Sequence, residues 1–484
     1  MKIKTSSYVI FLIFALTLAL RLYLVLSAPN LSDENAYFHL RHINNIIEDK
    51  KIIYYDFLSY GGRYVLQPPL FHIIMALLSF GNIFLLKILP ELFFSLLVVL
   101  VYLMAKDVSE DENSALFAAL LSGFVPIFLE KTLNVISSYS LALPLLFLMF
   151  YCLLKLDQIF YRNIFIVCVF LLPLIHPIAI LFIISIIFYF LILSGGAVTA
   201  TKLKKEGILL AVLTIILIEF IIYKKAFLSY GLNTIWQNIP VNILEDAYKK
   251  FSVSDLLVGV GVLPLVLGSI GVYIGMGEKK KPVYLYSSFI LTVLILLVLR
   301  LLSISTGLMI LGISLCIFSA LTIAKATNYI KKTRFYRFNY IIVIGLIAAF
   351  IIFSLVPSFG NGKISFVSND KLNDMRWILE NTNENDVIVG NLLEGHLITG
   401  LANRKNIVDA NFLLSPNPIK RLKDVDLLYT TFTEAKALEI IRRYNIKIIY
   451  LSEDTEKIYE IKDLNFVKGS KCFDWRENFY VFKC

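Results

Sequence analysis

The chain has 484 residues, 58% of them hydrophobic and 17% charged, with a formal net charge of +10. That much apolar side chain cannot be hidden inside a water-soluble fold, so much of it must face lipid. The basic excess does not indicate a nucleic-acid partner, because it falls in short loops between apolar runs, where Lys and Arg mark the cytoplasmic side of a bilayer.

A membrane-crossing helix needs about 20 apolar residues. Eleven candidate runs are readable, near 8–28, 84–105, 113–129, 139–156, 163–175, 177–194, 207–224, 254–276, 283–300, 303–325 and 340–357. The first is longer than a signal-peptide core and lacks a clear cleavage site, so it reads as an anchor. His176-Pro177 separates the fifth and sixth runs as either a kink or a turn. With Lys2 and Lys4 inside, the inner loops collect Lys155 and Arg162, then Lys202, Lys204 and Lys205, then Lys279, Lys280 and Lys281, and finally Lys325, Lys331, Lys332, Arg334 and Arg337. This distribution predicts a multi-pass cell-membrane protein with a cytoplasmic N-terminus. The expected fold class is a polytopic α-helical membrane domain over 1–357, followed by an extracytoplasmic α/β domain over 358–484. Two more segments, 29–83 and 225–253, lie on the outer side.

In the first outer loop, Ala36, Leu40, Ile43 and Ile47 form an apolar stripe opposite His39, His42, Asn45 and Asp49. The pattern predicts an interfacial helix over 35–48 lying flat on the outer leaflet, with Asp33 as its N-cap. Pro68-Pro69 then opens a helix over 70–80 that is too short to span. Lys87 and Glu91, spaced i,i+4, predict a local ion pair. In the tail, NDKLNDMRWILENT reads as an amphipathic helix and DVIVG as a buried strand. EAKALEIIRRYN reads as a helix leading into the strand IKIIYLS, and FDWRENFYVFKC as a final hairpin. Cys472 and Cys484 lie in this tail, and the sequence leaves their pairing open. No cysteine spacing suits a metal.

Chemistry concentrates at the outer side. Asp33 and Glu34 are adjacent carboxylates just past the first run, able to act as a general base or to hold a divalent cation; the plainer alternative is an N-cap and a solvated loop charge. Arg21 lies about three turns before them. Arg300 ends the ninth run, where a guanidinium suits a phosphate or simply snorkels to headgroups. His176 reads as a site residue or as a helix-break residue bonded to a free carbonyl. Glu130 and Lys131 read as part of the site or as an ordinary loop pair. Glu394, His396 and Arg404 follow a strand, a common place for a binding site.

The combination of DENAYFHLRHI after the first run, QPPLFHIIMALL before the second, LIHP between the fifth and sixth, and an arginine ending the ninth resembles the C-type (GT-C) membrane glycosyltransferases. Within them it resembles the catalytic subunits of archaeal oligosaccharyltransferases, and the likeness extends over nearly the whole chain. The resemblance implies transfer of a sugar or glycan from a polyprenyl phosphate or diphosphate donor on the outer face. It implies catalytic roles for Asp33 and Glu34, a metal role for Asp33 with Glu130, and a donor-phosphate contact for Arg300; His176, at a similar depth on the same side, is a further candidate for that phosphate. Arg41, His42, Glu394 and His396 are the candidates for acceptor or substrate contact, and Mg or Mn is the implied ion. The WWDYG acceptor motif of that family is absent: the stretch reads Val389-Gly390-Asn391-Leu392-Leu393-Glu394-Gly395-His396, which argues against Asn-linked protein glycosylation. The other classes compatible with the sequence are a transporter or flippase, which would favour paired repeats not seen here, and a non-catalytic glycan-binding relative.

Overall fold

In lipid, only a helix satisfies every backbone N–H and C=O within one segment, so the apolar runs fold as helices. The computed structural model describes residues 5–196, 201–241, 243–244, 252–333, 339–356 and 366–484. Among these, six helices are long and apolar enough to cross a membrane: Thr5–Ser27, Ile83–Ser109, Pro177–Gly195, Lys202–Trp236, Lys281–Val298 and Ile304–Lys331. Two bent pairs raise the number to eight, and three of the eleven expected runs are the shorter apolar helices Tyr139–Leu154, Ile159–Ile175 and Ile344–Leu355. Arg334 and Arg337 of the last basic loop, positions 242 and 245–251 of the second outer segment, and positions 357–365 lie outside the described residues.

Two of the runs expected as straight helices are broken. The 254–276 run turns by 104° between Val253–Val260 and Val262–Glu278. Gly261 makes the turn at φ +86°, a conformation that side chains rarely adopt. The 113–129 run bends by 47° between Glu112–Ser122 and Pro126–Thr132. Pro126 takes the first helical position of the second piece, where its missing N–H leaves no bond unmade.

The Val262–Glu278 helix lies backbone to backbone on the central Ile304–Lys331 helix. A Cβ at Gly271 would stand 2.1 Å from the Phe318 carbonyl oxygen, and one at Gly268 would stand 2.6 Å from that of Leu315. Small residues permit this approach, as is usual where helices associate in membranes. Gly271→Leu is therefore expected to cost upwards of about 3 kcal/mol by overpacking and to lower the thermal midpoint of the detergent-solubilised protein. Gly277→Leu on the same helix, where a Cβ meets nothing within 4 Å, is expected to leave it unchanged.

The expected Lys87–Glu91 pair is not made. Glu91 turns into the bundle and meets the Arg21 guanidinium at 2.7 Å, while its other oxygen accepts from the Asn134 N–H at 2.9 Å. Arg21 also donates to the Thr132 hydroxyl at 2.8 Å. Lys87 instead donates to the Ala28 carbonyl at 2.8 Å. Two charges inside an apolar bundle must find each other, and this requirement overrides the exposed i,i+4 geometry.

The tail carries a five-stranded sheet. Its strands are β3 (Val387–Val389), β4 (Lys405–Asn406), β5 (Ile446–Tyr450), β6 (Phe473–Arg476) and β7 (Phe479–Phe482); β1 (Tyr55–Asp56) and β2 (Arg63–Tyr64) form a separate ribbon in the first loop, 29–83. The order is β4-β3-β5-β7-β6, with β3 parallel to β4 and β5, and β7 antiparallel to β5 and β6. The amphipathic helix Asn369–Asn381, the helix Glu434–Tyr444 and the β6–β7 hairpin stand where the sequence puts them. A Cys472–Cys484 disulfide closes the hairpin across a sequence separation of 12. Loop-closure entropy makes it worth about 2–3 kcal/mol. Cys472→Ser is expected to lose that much and to speed amide exchange in β6 and β7 first.

Candidate functional site

The first loop, 29–83, and the tail are joined by a dense polar seam. The Ser59 hydroxyl donates to Asp409 Oδ2 at 2.6 Å, and the Tyr60 hydroxyl donates to the Asp409 carbonyl at 2.7 Å. Arg63 donates to the Ser59 hydroxyl at 2.6 Å and lies 3.6 Å from Asp409 Oδ1. Backbone bonds cross as well: Asn406 N–H donates to the Leu58 carbonyl at 2.8 Å, and Val367 N–H to that of Leu31 at 2.9 Å.

This seam changes the setting of the first-loop helix, Glu34–Glu48. Asp33 caps it, accepting from the Ala36 N–H at 2.9 Å. The helix does not lie as an open amphipath on the leaflet. Its histidine face is buried, with His39 and His42 enclosed alongside Ala36, Tyr37, Phe38 and Ile43. The tail helix Gly395–Gly400 covers it so closely that a Cβ at Gly400 would stand 3.0 Å from the Tyr37 carbonyl. A polar face can point inward here because the covering elements are themselves polar.

All five histidines of the chain gather around this helix. His39 Nδ1 lies 2.9 Å from His72 Nε2, and the His42 and His72 rings are 5.0 Å apart. The Phe38 ring lies 4.4 Å from His42 and 5.1 Å from His396. Burial lowers the pKa of His39 to about 3, that of His42 to about 3 and that of His176 to about 4, and moves His396 in the same direction, so these rings are neutral. Beside them opens a pocket of about 210 Å³. The first-loop helix contributes Asn35, Phe38 and His39, and the segment leading to the next helix contributes Gln67. Helix ends of the membrane domain contribute Ser138 and His176, the helix Lys202–Tyr230 contributes Tyr223 from within its length, and the tail contributes His396 and Asn411.

Of the residues singled out in the sequence, His176 and His396 line this pocket. His176 Nδ1 accepts from the Ile178 N–H at 2.9 Å, so the neutral ring carries its proton on Nε2. Asp33 and Glu34 start the helix whose next turn forms the wall. Burial raises the Asp33 pKa above the ordinary carboxylate range, against the Ala36 N–H bond, which lowers it. Glu34 pairs with Lys371 of the tail at 3.1 Å. Arg41 is held by Asp56 through two bonds of 2.8 Å, and His42 belongs to the histidine cluster outside the pocket wall. Glu394 is fully buried and accepts from the Ser452 hydroxyl and the Asn391 N–H; burial lifts its pKa to about 7. Glu130 is exposed and pairs with Lys131 at 2.7 Å. Arg300 is exposed, with φ +56°, and its carbonyl accepts from the Trp236 indole at 3.4 Å, one residue before the pocket residue Gln237. Sequence reasoning missed Gln67, Asn411 and Tyr223, which belong to three remote segments. The one available signal was the scarcity of histidine, with three of the five falling within 39–72.

No protein-family model matches the sequence, and no curated protein matches it. Solved structures do, and the likeness is one of fold: the chain shares with solved GT-C membrane glycosyltransferases a polytopic helical domain followed by a domain containing a sheet. The apo oligosaccharyltransferase of Archaeoglobus fulgidus matches over 95% of this chain and 72% of its own, at 13% identity and a TM-score of 0.71. ArnT from Cupriavidus metallidurans, bound to undecaprenyl phosphate, matches over 99% and 98%, at 10% identity and a TM-score of 0.58. The arabinofuranosyltransferase AftD from mycobacteria matches over 95% of this chain and 37% of its own, at 15% identity and a TM-score of 0.57. Another structure of the archaeal enzyme is a complex with Zn and sulfate. Here, among the described residues, no group of three or more His, Cys, Asp or Glu could hold a metal ion, and Asp33 and Glu130 are engaged by separate partners.

Proposed function

We propose that this protein is a membrane glycosyltransferase that moves a sugar from a polyprenyl phosphate or diphosphate to an acceptor on the face bearing the first loop and tail. The observation that carries the reading is the placement of a partly buried carboxylate, Asp33, at the start of the helix that walls the pocket, within a fold shared with lipid-linked sugar transferases. The acceptor's hydroxyl or amide nitrogen attacks the anomeric carbon and forms the new bond. The bond from that carbon to the phosphate oxygen breaks, and its electron pair leaves with the phosphate. The acceptor's proton passes to the Asp33 carboxylate. Arg300, whose guanidinium has no carboxylate partner among the described residues, meets the departing phosphate. Glu34, tied to Lys371, fixes the loop against the tail.

An outward-facing tail is supported by its cysteines. Cys472 and Cys484 are oxidised to a disulfide, whereas Cys152, Cys168 and Cys316 in the helical domain are free, which fits a tail in an oxidising compartment. The deciding experiment is a transfer assay in membranes carrying a lipid-linked sugar pool, read by mass spectrometry, comparing the native chain with Asp33→Asn. An unchanged glycolipid profile on removing the protein altogether would count against the reading.

A further inference from the structure

Among the described residues, the pocket beside the first-loop helix has no Asp, Glu, Lys or Arg in its lining. A phosphate or carboxylate buried there would lack the cation that such groups need. The groups present are of another kind. Neutral imidazoles, amides and hydroxyls each offer a donor and an acceptor, which is also what a sugar hydroxyl offers. His39, His176 and His396 supply imidazoles, while Gln67 and Asn411 supply amides.

Two of these groups are unspent. His396 Nδ1 and Gln67 Oε1 are buried without a hydrogen-bond partner among the described residues. Leaving such an atom unpaired costs about 1–3 kcal/mol, and because both residues line the pocket, a small turn of either side chain would bring it to a ligand hydroxyl. His396 is 3% exposed, so the cost is not met by bulk water. Against the polar groups stand Phe38, Pro68 and Pro177, apolar surfaces suited to the C–H face of a ring. The volume of about 210 Å³ lies below the roughly 300–1,000 Å³ of pockets for drug-sized ligands. It suits one ring, with any further units of a glycan lying outside it.

We infer that this pocket seats a single uncharged sugar ring, and that the phosphate of a lipid-linked donor binds elsewhere. The inference rests on the proposed function only for the source of the sugar. It makes the pocket a specificity filter: hexoses, pentoses and N-acetylated hexosamines enter, while uronic acids and phosphorylated sugars are rejected by desolvation without a counter-charge.

The test is ligand-observed saturation-transfer NMR on the full chain in lipid nanodiscs. The probes are glucose, galactose, mannose, arabinose and N-acetylglucosamine, set against glucuronate and inorganic phosphate. At least one uncharged sugar is expected to bind saturably, with glucuronate and phosphate unable to displace it. Gln67→Leu in the first loop and Asn411→Leu in the tail are each expected to weaken that binding about tenfold. Two variants on separate elements keep the result readable if one fails to fold. The inference is overturned if no uncharged sugar binds, if both folded variants bind as the native chain does, or if phosphate or glucuronate competes. Its fate is separable from that of the proposed function: sugar binding with no transfer sinks the transferase reading alone, and transfer without a Gln67 or Asn411 effect sinks this one.

Discussion

Asp33→Asn is expected to lower sugar transfer by about 10²–10⁴-fold, the contribution of a positioned general base, while leaving the fold intact. Asparagine is as good an N-cap as aspartate. It keeps the bond from the Ala36 N–H, which Asp33 accepts at 2.9 Å, and loses only the proton-accepting charge. Asp33→Ala removes the cap as well and is expected to cost a further ~1 kcal/mol of stability, so the two variants separate chemistry from structure. The pH profile offers an independent check. Burial raises the Asp33 pKa, and the Glu34 charge adds to it, outweighing the Ala36 bond and Lys131. A base must be deprotonated to work, so activity should rise with pH along an acidic limb lying above the ordinary aspartate value of about 3.9. Transfer retained within a factor of three in a folded Asp33→Asn protein would remove Asp33 from the chemistry.

Asp409→Ala is expected to be the most damaging single change in the seam between loop and tail, costing about 3–5 kcal/mol, as for other buried pairs broken on one side. Asp409 is 1% exposed and accepts from the Ser59 hydroxyl at 2.6 Å and the Asn406 amide at 3.1 Å. Its loss leaves Arg63, 2% exposed, without a counter-charge. Nearby Tyr60 holds a φ of +54°, which a tyrosine tolerates only where its surroundings impose it. Hydrogen exchange should therefore accelerate first over 55–65, before the sheet opens. The double variant Arg63→Met with Asp409→Leu removes both charges and should recover part of the loss. If Asp409→Ala unfolds no earlier than the native chain, the seam is not what holds the loop.

Much of the architecture was legible because it rests on local rules. Apolar runs of bilayer length can only be helices. Asp33 announces a helix start, and the tail's alternation of strand and helix announces an α/β layer with a closing hairpin. These signals need only neighbours in sequence. The bends at Gly261 and Pro126 were less visible, since a glycine or proline inside an apolar run marks a place where a helix can turn without saying that it does.

The site is a different matter. The sequence by itself determined that the chain is a many-helix membrane protein with a sheet-bearing tail, and where polar chemistry collects along it. Only the tertiary structure decided that Glu91 belongs to Arg21 and not to Lys87, that Arg41 is consumed by Asp56, and that the polar face of the first-loop helix points into protein. It alone brought His39, His176 and His396, far apart in sequence, to one pocket whose described lining carries no charge. The reason is physical. Helix and strand formation answer to periodicity over a few residues, whereas the partner of a buried charge or imidazole is chosen by what else is excluded from water at the same place, and that is set only when loop, helix ends and tail close on one another.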